Sequence, residues 1–436
     1  MAEKFDSNQK EGRLKKILLP IILTVAIIAA YVGGFFTSSC TTPKVVDKTE
    51  EVAWLIHEHA YIYDETTGEF KKYGEKDYAD ALVSGLLDEY SAYYTKEEYE
   101  EVIKEGAGRK NGVGLTFYGD STSIFSVIGN SPADVVGIRA GDVLVKGKVG
   151  DGEEKTFSDI DDIMEFFSSA KANSEFSLTV NRAGREINFN LTATDYKRSY
   201  VTYYDSENKL VFRTQNLILD KKIEDIPSDD NMKGVLSSDT AFIKLDLFEG
   251  GAAFQMGVAL NYMKEKGKTK LILDLRDNGG GYMDVLTSIA SMLIYNDGKI
   301  NNLIAYSDGK SENEEFRAGL NLFNKEITAI SVIANRNTAS ASECLIGAMI
   351  HYEGQFSQDR LVIEKESDGV ARTYGKGIMQ TTFKLSDGGA LKLTTARILW
   401  PDKTTCIHKK GVIATGENAT EKGMPALIRA QNTLIN

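Results

Sequence analysis

Residues 335–350, NRNTASASECLIGAMI, place three hydroxyl side chains, Thr338, Ser340 and Ser342, between the apolar run ISVIA and a second apolar stretch. The pattern is a strand, a turn and the start of a helix. A serine there stands at the carboxyl end of a sheet, where open α/β folds keep their sites. The helix N-terminus adds positive potential for a developing negative charge. The alternative is a helix cap supplied by Thr338 or Ser340. A second turn, LDLRDNGGGYMD at 273–284, sets three glycines after a buried strand and leaves backbone N–H groups approachable. Such groups bind a phosphate or the oxyanion of an acyl intermediate. The GxxxxGK[ST] and GxGxxG spacings are absent, so neither nucleotide fingerprint applies.

A serine nucleophile needs a base. Only four histidines occur (His57, His59, His351, His408), which turns attention to lysine. TYGKGIMQ, 373–380, holds Lys376 between Gly375 and Gly377, and Gln380 follows four residues on. Flanking glycines let other backbone approach, and an amine kept from water loses its charge readily. Gln380 is placed to hydrogen-bond that amine. A plain turn lysine is the other reading of this stretch.

The elements that position these residues follow from periodicity. AFIKLDLF, KLILDL and ITAISVIA read as strands, the latter two apolar enough to be buried on both faces. GGAAFQMGVALNYMKEKG and DVLTSIASMLIY read as helices between them, the second with Val285, Leu286, Ile289, Met292 and Leu293 on one face. Before this α/β part, EFSLTVNRAGREINFNLT alternates as a hairpin turning at Ala183-Gly184. SDIDDIMEFF is a helix capped by Ser158, with Ile160, Ile163, Met164 and Phe167 as its apolar stripe. Residues 51–106 are helical, with TKEE opening a helix as a capping box of Thr95 and Glu98. Residues 203–236 are polar and read as an irregular insertion.

The 436 residues carry a net charge of -12, and no basic stripe offers a nucleic-acid footprint. Three cysteines without a CxxC pair exclude a disulfide framework and a zinc ribbon, and the histidine spacing gives no metal site. Residues 1–16 hold five Lys/Arg and three acids, and 17–36 is an uncharged apolar run of 20 residues. That is the length of a membrane-spanning helix, and the basic flank keeps the N-terminus inside. The run reads as a retained signal anchor, with lipidation at Cys40 (TSSC) and a buried core helix as the alternatives. Residues 37–50 form a linker.

Taken together, the ordered motifs over 75–412 resemble the carboxyl-terminal processing proteases, serine peptidases with a Ser–Lys dyad and an embedded PDZ domain. LDEYSAYYTKEEY is similar to the family's LDPYS-x-Y segment, and GVGLTF with SPADVVGIRAGDVLV to its PDZ domain. LILDLRDNGGG is similar to LILDLRxNPGG, NTASASE to SASASE, and YGKGIMQ with LSDGGALKLTTARILWP to FGKGxxQ and LxDGxALKLTTARYxTP. The resemblance implies an α/β protease core of crotonase/ClpP-like ββα units with an inserted PDZ domain. The expected domains are a cytoplasmic tail (1–16), transmembrane signal anchor (17–36), linker (37–50), helical segment (51–106), PDZ domain (107–195) and peptidase core (196–436).

The resemblance makes Ser340 the nucleophile, Lys376 the general base and Gln380 its orienting residue. Gly280 and Ala341 N–H groups form the oxyanion hole, and Thr338 and Ser342 support the turn. Gly112, Val113, Gly114 and Leu115 form the loop that receives a peptide carboxylate. No metal or cofactor is implied. The expected partners are extended or unfolded proteins with apolar C-termini, the membrane through one helix, and a second copy of the chain. A catalytically inactive PDZ scaffold on the same fold is the alternative. Three departures stand out: Gly279 replaces the family's proline, Trp400 enters the closing motif where the substrate cleft is expected, and GVIATGENATEKG replaces an acidic-Pro-Asp ending. Ser340 and Lys376 are separated by a longer stretch than in the family, and FSQDRLVIEKESDGVA, 356–371, reads as the extra residues.

Overall fold

Thr240–Leu245, Lys270–Asp274, Ala329–Ala334 and Leu361–Glu364 are adjacent parallel strands. Their side chains alternate between two cores, as the pleat requires. Ala241, Ile243, Leu245, Leu271, Leu273, Ile330 and Val332 pack with the helices Ala252–Glu265, Met283–Leu293 and Ala341–Tyr352. Phe242, Ile272, Ile333 and Val362 face the other way, onto the helix Met424–Thr433. Burial on both faces explains why these strands are nearly all apolar. The computed structural model describes residues 51–56, 63–64, 69–70 and 73–435, except 107–108, 118, 172, 213–216, 223–231, 233, 296–301, 320–321 and 323–324. The expected anchor, 17–36, and linker, 37–50, lie outside the described residues. Among the described residues no helix is long and apolar enough to cross a membrane.

The described residues form two units divided after Gly85. In the first, the helices 51–56 and Glu75–Leu86 are joined by a hydrogen bond from Tyr78 Oη to Ala53 O of 3.0 Å. In the second, Ala92–Tyr94 interrupts the stretch expected to be helical. It pairs antiparallel with Ala390–Lys392 of the strand Ala390–Leu399, since its aromatic side chains suit a half-buried sheet. The helix Lys96–Gly106 follows, with the expected box: Glu98 N donates to Thr95 Oγ1 at 3.3 Å and Thr95 N to Glu98 Oε2 at 2.9 Å. A second sheet runs Asn313–Ala318, Asn302–Gly309, Ala390–Leu399, Ile378–Lys384.

Between these parts sits a small domain with its own core, including Ile124, Leu144, Ile163, Phe166, Phe176 and Leu178. Its hairpin Glu175–Arg182/Arg185–Thr192 turns at Ala183 (φ 50°) and Gly184 (φ 83°) as the sequence requires. Its helix Ile160–Ser168 is capped by Asp159, not Ser158: Asp162 N donates to Asp159 Oδ1 at 3.0 Å, while Ser158 N and Oγ donate to Asp162. Ile163 and Phe166 are buried, Ile160 and Phe167 pack against the same core, and Met164 is 60% exposed.

Two expected insertions are built into the large sheet instead. Asn208–Phe212 and Leu217–Lys222 extend it beyond Val201–Tyr204. Asp205 Oδ1 accepts the N–H groups of Glu207 and Asn208, each at 2.8 Å, and folds the turn that the polar residues had hidden. Within 356–371, Leu361–Glu364 is a fully buried strand. Trp400 packs against the core rather than standing free. It packs against the helix Ala341–Tyr352, where a Cβ on Gly347 would lie 2.2 Å from Trp400 Cε2. Gly347→Ala is therefore expected to destabilise the protein by about 1–3 kcal/mol. Adding Trp400→Leu should recover part of that loss, both read by urea unfolding.

Candidate active site

Ala329–Ala334 ends, a five-residue turn follows, and Ser340 stands at the N-cap of Ala341–Tyr352 with φ 57° and ψ −116°. A β-carbon in this region is strained by about 1–3 kcal/mol, and such strain persists only where the surroundings over-determine it. The surroundings are specific. Thr338 Oγ1 donates to Leu275 O at 2.8 Å and accepts Asn335 N at 2.9 Å. Ser342 Oγ donates to Asn278 O at 3.0 Å, and Ala339 N donates to the same oxygen at 2.9 Å. The glycine turn thus meets the serine turn directly. A Cβ on Gly280 (φ 102°) would lie 2.8 Å from Ala341 N, Ala339 O and Ser340 Cβ.

Glu343, fully buried, holds the third piece. Its Oε2 accepts Ser340 N and Lys376 N, each at 2.9 Å, and its Oε1 accepts Gly375 N at 2.8 Å and Thr373 Oγ1 at 2.5 Å. One carboxylate therefore brings the backbones of Ser340 and Lys376 side by side across 36 residues of sequence. Burial raises the Glu343 pKa, and the four hydrogen bonds oppose the rise. Under the glycine turn, Arg276 Nε and Nη2 bind the two oxygens of Asp274 at 2.9 and 2.8 Å, and Nη1 binds Glu364 at 2.8 Å. Burial would raise the Asp274 pKa, but Arg276 wins and holds it below the usual carboxylate range.

Lys376 is half-buried, and its pKa is lowered first by that burial and then by neighbouring Lys392, with Asp88 opposing. Its Nζ lies 4.8 Å from the centre of the Tyr90 ring and makes no hydrogen bond to Ser340 Oγ in this structure. Tyr90 Oη is in turn 3.2 Å from Tyr374 Oη.

Two expected contacts are replaced. Gln380 Nε2 donates to Thr394 Oγ1 at 3.1 Å rather than to the amine, because a bulge between Met379 and Gln380 sets Gln380 directly opposite Thr394. The Gly280 N–H, expected to face an oxyanion, donates to Asn278 Oδ1 at 2.9 Å. The Ala341 N–H is a first-turn donor with no intrahelical acceptor. Glu343, Asn278 and Tyr90 were missed as site residues. Glu343 had a signal: an acid three residues after the serine is the second half of a capping box.

In the small domain, the loop 112–115 has the glycine geometry of an anion cradle. Gly112 has φ 132° and Gly114 φ 84°, and a Cβ on Gly114 would lie 2.1 Å from Ser131 Cβ. The N–H groups of Val113 and Gly114 donate to no described residue, while Val113 O accepts Ala133 N at 3.0 Å. A cavity of about 870 Å³ separates this domain from the core. Phe125, Ile128 and Arg198 line one side, and Lys244, Gly279 and Asn337 reach toward the serine turn. Among the described residues no cluster of His, Cys, Asp and Glu could hold a metal.

A strained serine on a strand–turn–helix corner, pressed against backbone N–H groups, is the arrangement of a serine-type peptidase. Residues 239–417 match Peptidase family S41. Relatives described as "Probable CtpA-like serine protease" occur in Staphylococcus saprophyticus and Staphylococcus aureus. The first is 25% identical over 415 residues, 93% of this chain and 73% of the relative. The second is 25% identical over 412 residues, 92% and 72%. Among solved structures, a photosystem II D1 C-terminal processing protease is 21% identical with a TM-score of 0.48, covering 88% of this chain and 97% of that one. Residues 239–417 thus carry the Peptidase family S41 match, and over most of its length the chain is similar to CtpA-like serine proteases.

Glu343→Gln replaces an acceptor oxygen with a donor facing N–H groups. We expect kcat/KM to fall by about 100-fold, because the two segments lose their shared anchor. Urea unfolding should show a loss of at least about 3 kcal/mol.

Proposed function

We propose that the protein is a membrane-anchored serine endopeptidase acting outside the cytoplasm on exported proteins or their C-terminal tails. Ser340 is the nucleophile and Lys376 the general base. The observation that carries this reading is the Glu343 oxygen shared by the Ser340 and Lys376 N–H groups. Ser340 Oγ attacks the peptide carbonyl and passes its proton to the neutral Lys376 amine. The oxyanion faces the Ala341 N–H and the glycine turn, and the ammonium then protonates the leaving amine. Gly280 joins as a donor once its N–H leaves Asn278, and Gln380 orients the amine once it leaves Thr394.

In the resting arrangement the amine lies over Tyr90. A peptide C-terminus in the Gly112–Leu115 loop of the small, PDZ-like domain shifts the site toward the productive arrangement, and the cavity beside it leads the chain to Ser340. The uncharged run 17–36 with its basic flank supports the anchor.

The test is casein cleavage by residues 41–436, with and without a peptide ending in an apolar residue. Wild type should cleave, faster with the peptide, and Ser340→Ala and Lys376→Ala should not. Equal cleavage by all three would overturn the dyad, and absence of cleavage in every mixture would favour the inactive scaffold. The pH profile gives a second check. Because the base must be neutral, activity rises with pH through a Lys376 pKa that lies below the ordinary value of 10.5. Lys392→Gln removes a neighbouring positive charge, so it should move the acid limb to higher pH. An unmoved limb would contradict the assignment.

A further inference from the structure

The loop carrying Lys376 is ringed by cations. Lys409 N donates to Gly375 O at 2.7 Å. A Cβ on Gly375 would lie 3.0 Å from Lys410 N, and one on Gly377 would lie 2.7 Å from His408 N. The segment His408–Lys410 therefore runs directly against the loop, and Lys409 and Lys410 are exposed. On another side, Arg336 Nη1 donates to Thr373 O at 3.0 Å and Tyr374 O at 3.3 Å, with its guanidinium 5.7 Å from the Tyr374 ring. Lys392, on the neighbouring strand, completes the ring.

Among the described residues, Arg336, Lys392, Lys409 and Lys410 make no ion pair with a carboxylate, whereas Arg372 and Lys403 are paired with Asp368 and Glu315. The acids facing this rim are Asp88, which acts on Lys376 and His408, and Glu89, which acts on His408. Glu343 lies beneath, with both oxygens already bonded. In a chain of net charge -12, a cluster of unpaired cations around one loop is a local reversal of the protein's field. It coincides with the closing segment that departs from the family's ending, where His408-Lys409-Lys410 leads into GVIATGENATEKG.

We propose that this rim selects substrates with acidic side chains flanking the scissile bond. The proposal rests on the reading of Ser340 and Lys376 as the catalytic pair. Exposed complementary charges act on encounter and on KM more than on kcat, and they are screened by salt.

The test uses the full chain in detergent and two quenched fluorescent peptides that differ only in Asp/Glu against Asn/Gln around the cleaved bond. Each is made with a free and an amidated C-terminus. Wild type should take the acidic peptide with a KM about tenfold lower, and the ratio should approach one at about 0.5 M salt. Lys409→Asn with Lys410→Gln should shrink the ratio and leave kcat on the neutral peptide unchanged. Asn suits the Lys409 backbone, whose φ is 61°. Equal KM values, or a ratio untouched by the double variant, would overturn the proposal while the catalytic pair stands. A preference that vanishes on amidation would assign the rim to the terminal carboxylate and overturn the side-chain reading. No cleavage of either peptide, or cleavage that survives Ser340→Ala, would overturn the catalytic reading and this proposal with it.

Discussion

The Glu343 carboxylate sits out of reach of water, and four donors from two chain segments converge on it. An isolated buried carboxylate would be several kcal/mol unfavourable. Hydrogen bonds to a charged group return about 1.5–3 kcal/mol each, so the site is stable only when all four are made. That requirement makes the joint selective. The Ser340 turn and the 373–376 loop must both arrive in their native geometry before either is satisfied. The strained φ of Ser340 is tolerated because Glu343, Thr338 and Asn278 fix the turn from three directions.

Close backbone approach is the second constraint. Gly280 lies against the serine turn, and Gly375 and Gly377 lie against the segment 406–411. A side chain at any of these positions would meet backbone atoms 2.7–2.8 Å away. The glycines around Lys376 therefore do more than free a loop: they let the backbone of a cationic segment pack against it. Burial of the amine and the charge of Lys392 on the neighbouring strand act in the same direction, since each disfavours the charged form of Lys376.

Much of this was legible in the sequence because it depends on short-range patterns. The buried strands, the helices between them, the two glycine-rich turns and the Ala183-Gly184 hairpin all follow from local periodicity and φ requirements. The Ser340 and Lys376 candidates follow from spacing and family motifs. The joint itself was not legible, because the acid of NTASASE reads locally as half of a cap. Only the fold shows that the same oxygen also holds Lys376 N. The contact partners of Gln380 and Gly280 were also hidden, one set by a β-bulge and the other by a competing amide. Asp159, not Ser158, caps the helix Ile160–Ser168, and Phe166 rather than Met164 is buried in the core. Polar tips concealed the strands at 208–222.

The most direct test of the central claim is the rate and site of covalent capture by a fluorophosphonate, followed by intact mass and peptide mapping across pH. The account predicts one adduct, on Ser340, forming faster as pH rises toward the lowered Lys376 pKa, and slowed strongly in both Lys376→Ala and Glu343→Gln. An adduct on another residue, or a Ser340 rate indifferent to Lys376 and Glu343, would contradict it.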